Sequence, residues 1–278
     1  MHWIEITRKC VVFVGAVDAD LGGFSPVGTG FLIAVFEREI EFDYIVTCNH
    51  VIKVCRDNTW VRINLVDGGS ECKSIPQDNW FVDKANDIAI SPCPHWSRPK
   101  YDVARIHERD FGIKESLESP ELYPGEEVFL VGLFTSHYGG VHNIPIVRTG
   151  NVAALPDEPV QTNSGYINAY LVETRSIAGL SGSPVFLFHR ISDSLSHLPR
   201  KDQTVYKLLG MLLGRFNEAD EIDVAVGDSK SDLLNAGISV VIPVEKLIEL
   251  LRQKDVVSLR NETLEDLRKN SRYRPTSG

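Results

Sequence analysis

The chain has 278 residues, 43% of them hydrophobic and 24% charged, enough apolar material for one large domain or two small ones. Its 38 acidic residues outnumber 29 basic ones, giving a formal charge of −9, and no segment interleaves Lys and Arg with aromatics as a nucleic-acid groove requires. Nucleic acid is therefore excluded as an expected partner, and so is a membrane, because the longest apolar runs, such as Cys10 to Val17, fall far short of a span.

That first run, CVVFVGAV (10–17), reads as a strand rather than the core of a signal peptide. Glu5 precedes it, and Asp18 and Asp20 follow where small residues would have to lie. The five cysteines, Cys10, Cys48, Cys55, Cys72 and Cys93, form no CxxC pair and are odd in number, which points to a reducing, cytoplasmic location. Further β-branched and aromatic runs follow between Gly, Pro, Asp and Asn: GTGFLIAVF (28–36), FDYIVTCNHV (42–51), TWVRINLV (59–66), DIAISP (87–92) and DVARIH (102–107). A charged stretch from Glu108 to Pro124 makes a natural seam. Beyond it come EEVFLVGLF (126–134), PIVRTGNVAAL (145–155), AYLVETR (169–175), SPVFLF (183–188), VYKLLGMLLG (205–214) and AGISVVIPV (236–244). The chain reads as all-β, and six strands in each series is what two six-stranded antiparallel β-barrels require, one over residues 1–110 and one over 111–255. After Pro243 the period changes: Val244, Leu247, Ile248 and Leu251 mark one amphipathic α-helix packed on a barrel, and residues 256–278 read as a flexible polar tail. Two connections, 189–204 and the acidic 217–236, exceed what a hairpin needs and are read as solvated or functional loops.

The stretch GLSGSPVF (179–186) is a small-residue turn running into a strand. Any sharp turn selects Gly and Ser, so the string alone leaves open whether Ser181 is a nucleophile or a turn residue. A serine hydroxyl attacks usefully when a base takes its proton and a carboxylate fixes the tautomer of that base. His50 closes the apolar run IVTCNH, and Asp87 opens DIAI behind Asn86, giving the chain order His, Asp, Ser. Cys48, His50 and Cys55 also admit a zinc reading, but no second ligand pair has suitable spacing, and buried thiols are the expected outcome. The nucleophile elbow of α/β-hydrolases is set aside, since Ser183 stands where its second glycine belongs and only His189 and His197 lie downstream of Ser181.

GTGFLI, VTCNHV, NDIAI and GLSGSPVF, in this order, resemble the trypsin-like serine peptidases, closest to the bacterial HtrA-like branch, here without a PDZ domain. With PGEEVFLVG and AGISVVIPV the resemblance extends over roughly residues 10–245. It implies a double β-barrel with His50 as general base and acid, Asp87 as its orienting partner and Ser181 as nucleophile in the cleft. The backbone N–H groups of Gly179 and Ser181 would form the oxyanion hole. The implied activity is that of a serine endopeptidase acting on protein or peptide substrates through an acyl-enzyme, with no metal or cofactor. By the same resemblance Arg175, Ser176, Arg215 and Gly237 line the substrate pocket, and the two arginines would suit an acidic side chain.

Two departures from the family pattern matter. Leu180 stands where extracellular relatives carry an Asp that receives a newly cut N-terminus, so control is expected from loop ordering, for instance by a regulatory protein partner. The strand Gly210 to Arg215 has no hydroxyl to support Asp87, which must find its partners elsewhere. A fold kept as a binding or scaffold module, and an effector active only when a partner binds, stay open as alternatives.

Overall fold

The computed structural model describes residues 3–17, 23–56, 58–93, 96, 99–112, 122–162, 165–174, 179–191, 203–215 and 237–269. A short helix, α1 (Trp3–Lys9), leads into β1 (Val11–Val17), β2 (Phe24–Glu37) and β3 (Ile40–Cys48). A six-residue helix, α2 (Asn49–Val54), is followed by β4 (Asn58–Asn64), β5 (Ser70–Pro76), β6 (Phe81–Asp83), β7 (Ile88–Pro92) and the two-residue β8 (Ile106–His107). Their hydrogen-bonded order is β5-β4-β1-β2-β3-β7-β6, with β8 added in parallel to β2.

The two edge strands of this sheet are neighbours in sequence: β5 ends at Pro76 and β6 begins at Phe81. Across seven flat strands the edges would stand about 29 Å apart, whereas five residues of chain reach at most about 18 Å. The sheet must therefore curl until its edges approach. It does so around Phe13, Phe31, Ile33, Ile45, Ile63 and Ile90, all fully buried. Among the described residues no ladder joins β5 to β6, so the expected first six-stranded barrel is instead a curled, hydrogen-bond-open sheet of eight strands.

The second expected barrel does close. Strands β9 (Glu127–Gly132), β10 (Ile146–Ala154), β13 (Tyr170–Glu173), β14 (Pro184–Ile191), β15 (Gln203–Arg215) and β16 (Ile238–Pro243) form it in the order β10-β13-β16-β15-β14-β9. A small hairpin of β11 (Val160–Thr162) and β12 (Gly165–Ile167) stands outside it. The barrel is filled by Val128, Leu130, Val152, Val172, Val185, Leu187, Leu209, Leu212 and Val241.

The predicted helix appears as α3 (Val244–Leu251), with Val244, Leu247, Ile248, Leu250 and Leu251 buried. Residues 256–269, expected as tail, instead belong to a second helix, α4 (Lys254–Lys269). The reason is a narrow buried stripe at i, i+4 and i+8, Val256, Arg260 and Leu264, which returns the chain to the first sheet. There Arg260 Nε donates to Glu37 Oε2 at 2.7 Å, and Nη1 to Tyr44 Oη at 3.2 Å. Residues 270–278 and the 217–236 loop lie outside the described residues. So does 192–202; the ends of that expected loop are absorbed into β14 and β15. No described helix is long and apolar enough to cross a membrane.

Candidate functional site

His50 does not end a strand. β3 stops at Cys48, and His50 lies in the first turn of α2, whose leading N–H groups have no intrahelical acceptor. Asp87 supplies acceptors for two of them. The Asn49 N–H donates to the Asp87 carbonyl at 2.9 Å, and the His50 N–H to Asp87 Oδ1 at 2.9 Å. The other carboxylate oxygen, Oδ2, faces His50 Nδ1 in a short hydrogen bond. One carboxylate thus fixes both the backbone and the ring of the same histidine.

Asp87 can do this because of an unusual backbone. Its φ of +55° lies in the left-handed region, where Asp and Asn are among the few side chains that settle without glycine. The turn before it is braced by Asp83, whose Oδ1 accepts from the N–H groups of Ala85 and Asn86 at 3.0 and 3.1 Å. Asp87 is buried, while the His50 side chain keeps 46% of its surface open. The ring is held from behind and presented to solvent in front.

Near the Gly210–Arg215 stretch, which has no hydroxyl to offer Asp87, stands a thiol from β3. Cys48 Sγ donates to the Leu212 carbonyl at 3.4 Å, and its sulfur lies within 4.8 Å of the ligand atoms of His50 and Asp87. Burial first, and then the Asp87 charge, push this thiol well above its ordinary value, so it stays protonated. These three form the one set of potential metal ligands among the described residues, and Cys55 is not in it. Cys55 Sγ instead donates to Val51 O. In the His50–Asp87–Cys48 set every side chain already has a hydrogen-bond partner, which suits a supported acid–base pair better than an ion site. All five cysteines are free thiols.

Ser181 sits in a turn closed by Ser183 N–H to Leu180 O at 2.9 Å and tied to β15 by Gly182 N–H to Leu212 O at 2.8 Å. Gly179 and Gly182 have φ of +94° and +86°. A Cβ at residue 182 would collide with the Thr29 carbonyl and stand 2.7 Å from Thr47 Oγ1, so glycine is required there by space as well as by φ. Leu180 is fully buried in the closed barrel, an apolar anchor at the position where an ion pair would otherwise hold the turn.

The same contacts bring the turn to the histidine. Thr47 and Val51 flank Cys48-Asn49-His50; Thr47 meets Gly182, and Val51 packs over Gly28, which in turn faces the Ser181 carbonyl. Ser181 Oγ itself lies over Gly214, where a Cβ would come within 3.8 Å of it. Among the described residues no hydrogen bond joins Ser181 to His50.

Of the expected pocket residues, Arg175 and Ser176 lie outside the described residues, as does the side chain of Arg215. Gly237, with φ of +71°, accepts a hydrogen bond from Thr174 N–H at 2.7 Å at the mouth of β13. Sequence reasoning missed Thr29 and Thr47, although a Thr framed by two glycines in GTGFLI signals a backbone in close approach.

Ser183 Oγ is fully buried and has no hydrogen-bond partner. Ser183→Ala is therefore expected to leave stability unchanged or raise it by about 1 kcal/mol, read from the midpoint of urea unfolding. A loss above that size would mean the hydroxyl is satisfied after all.

The model of the trypsin-like peptidase domain family matches residues 28–189, a span that contains His50, Asp87 and Ser181. The chain belongs to the trypsin-like peptidase family. Two solved structures share this peptidase fold across most of both chains. The MamO protease domain from Magnetospirillum magneticum, in its apo form, is 15% identical over 89% of this chain and 98% of that one, with a TM-score of 0.53. Deg5 is 17% identical over 88% of this chain and 89% of that one, with a TM-score of 0.51. At such identities both speak for the fold alone. No curated protein matches this trypsin-like peptidase chain.

Proposed function

We propose that the chain is a serine endopeptidase that hydrolyses peptide bonds in protein substrates. The reading is carried by the two-point grip of Asp87 on His50 beside the Ser181 turn. With Nδ1–H donated to Asp87 Oδ2, the ring's Nε2 is left as the acceptor for the Ser181 proton. Ser181 Oγ attacks the scissile carbonyl, and its proton passes to Nε2; the carbonyl π electrons move to oxygen, where the N–H groups of Gly179 and Ser181 receive the negative charge. Collapse expels the amine, which takes the proton from His50, and water then repeats the sequence to release the acyl group. The missing Ser181–His50 hydrogen bond fits this scheme, because such bonds often tighten only with substrate present. Free thiols at all five cysteines support a reducing compartment as its site of action.

The test is labelling by a fluorophosphonate probe, with the modified residue located by mass spectrometry. Wild type is expected to label at Ser181, and Ser181→Ala and His50→Ala not at all. Labelling only after addition of a partner protein would favour the conditional effector. A folded chain that never labels would leave the scaffold reading.

A further inference from the structure

Thr29 belongs to β2 of the curled sheet, yet its polar atoms meet the turn that carries Ser181, in the other half of the molecule. Its hydroxyl accepts from Leu133 N–H at 2.9 Å and donates to the Gly179 carbonyl at 2.8 Å. Its own N–H donates to the Ser181 carbonyl at 2.9 Å. Its carbonyl accepts from Thr47 Oγ1 at 2.7 Å, and Thr47 is three residues before His50. The residue is fully buried, so none of these bonds competes with water.

The Gly179 carbonyl shares its peptide plane with the Leu180 N–H, and the Ser181 carbonyl with the Gly182 N–H, so Thr29 holds the two planes on either side of the Leu180–Ser181 peptide, whose N–H would face the oxyanion. With both carbonyls held toward β2, the Leu180–Ser181 peptide between them is confined, and with it the direction of the Ser181 N–H. Gly179 needs this restraint, because a glycine at φ +94° resists a flip less than any other residue would. The Leu133 N–H fixes the orientation of the hydroxyl, since a hydroxyl that accepts there has its proton directed to Gly179.

We propose that Thr29 is a positioning residue for the oxyanion hole, its hydroxyl locking the Gly179–Leu180 peptide, next to the Ser181 N–H, from a strand of the first sheet. The proposal rests on Ser181 being the nucleophile. Thr29 touches neither substrate nor reacting atoms and acts through Gly179.

Saturation kinetics of fluorophosphonate labelling test it, because the phosphonyl oxygen must enter the same hole. Thr29→Val keeps the shape and removes the hydroxyl. It should lower the maximal labelling rate about 10- to 100-fold and leave the half-saturating probe concentration unchanged, less than the loss of a donor outright. Thr29→Ser should restore the rate; should the Val variant fail to fold, Thr29→Ala carries the same expectation. A Val variant that is less stable yet labels at the wild-type maximal rate per folded molecule would overturn the proposal alone. So would a Ser variant as slow as Val. Wild type that does not label would overturn the peptidase reading and this proposal with it.

Discussion

Asp87→Asn is expected to slow Ser181 labelling about 10⁴-fold while the fold stays intact. Asn is the informative replacement because it also settles at φ +55°, whereas Ala would add backbone strain to the chemical change. Its amide has one acceptor oxygen, and the His50 N–H claims it. The NH₂ then faces Nδ1 and makes it an acceptor, so the imidazole proton moves to Nε2, the atom that should receive the serine proton. Labelling rates and melting temperatures measured on the same preparation check this. A fall of less than about tenfold would mean that Asp87 does not set the tautomer.

Arg260→Ala is expected to destabilise the whole chain by about 3 kcal/mol. The guanidinium is buried, pairs with Glu37 and also bonds the Tyr44 hydroxyl and the Leu251 carbonyl, the last at 3.1 Å. Truncation leaves a part-buried carboxylate, a phenol and a carbonyl without their donor, which is where most of the loss arises. Replacing Arg260 and Glu37 together by Met should recover most of it, because an apolar pair of similar volume leaves no orphaned charge. Urea unfolding of the full chain measures both. An unchanged midpoint in the single variant would show that α4 is not docked on the sheet.

The candidate triad was legible because its parts lie in segments whose local chemistry is self-contained: an apolar run ending in His50, a polar step into a strand at Asp87, and a turn of small residues at Ser181. What surrounds them was less so. The run FDYIVTCNHV (42–51) reads as strand through the β-branched Val51, but Asp87 draws the backbone of Asn49 and His50 into a helical turn, a tertiary contact outweighing propensity. β5 was missed because SECKSIP, with one buried side chain, lacks the alternation of a half-buried strand. The DVARIH run shrank to Ile106 and His107. α4 escaped because Arg260 sits in the middle of its buried stripe, where a sequence reading sees a polar interruption. Six strands per half suggested two barrels, but closure by hydrogen bonding is a property of edges that strand count does not encode.

The return of α4 to the first sheet also orders events in time. Glu37 and Arg260 are 223 residues apart, and Thr29 and Gly179 are 150 apart, so the contacts that brace the site and strap the sheet are among the most sequence-distant in the chain. Such contacts form late in folding. During synthesis the ribosome would display His50 and Asp87 well before Ser181 has a formed turn to occupy. On the peptidase reading proposed above, a nascent chain would hold no assembled triad until Ser181 has emerged and its turn has docked on β2.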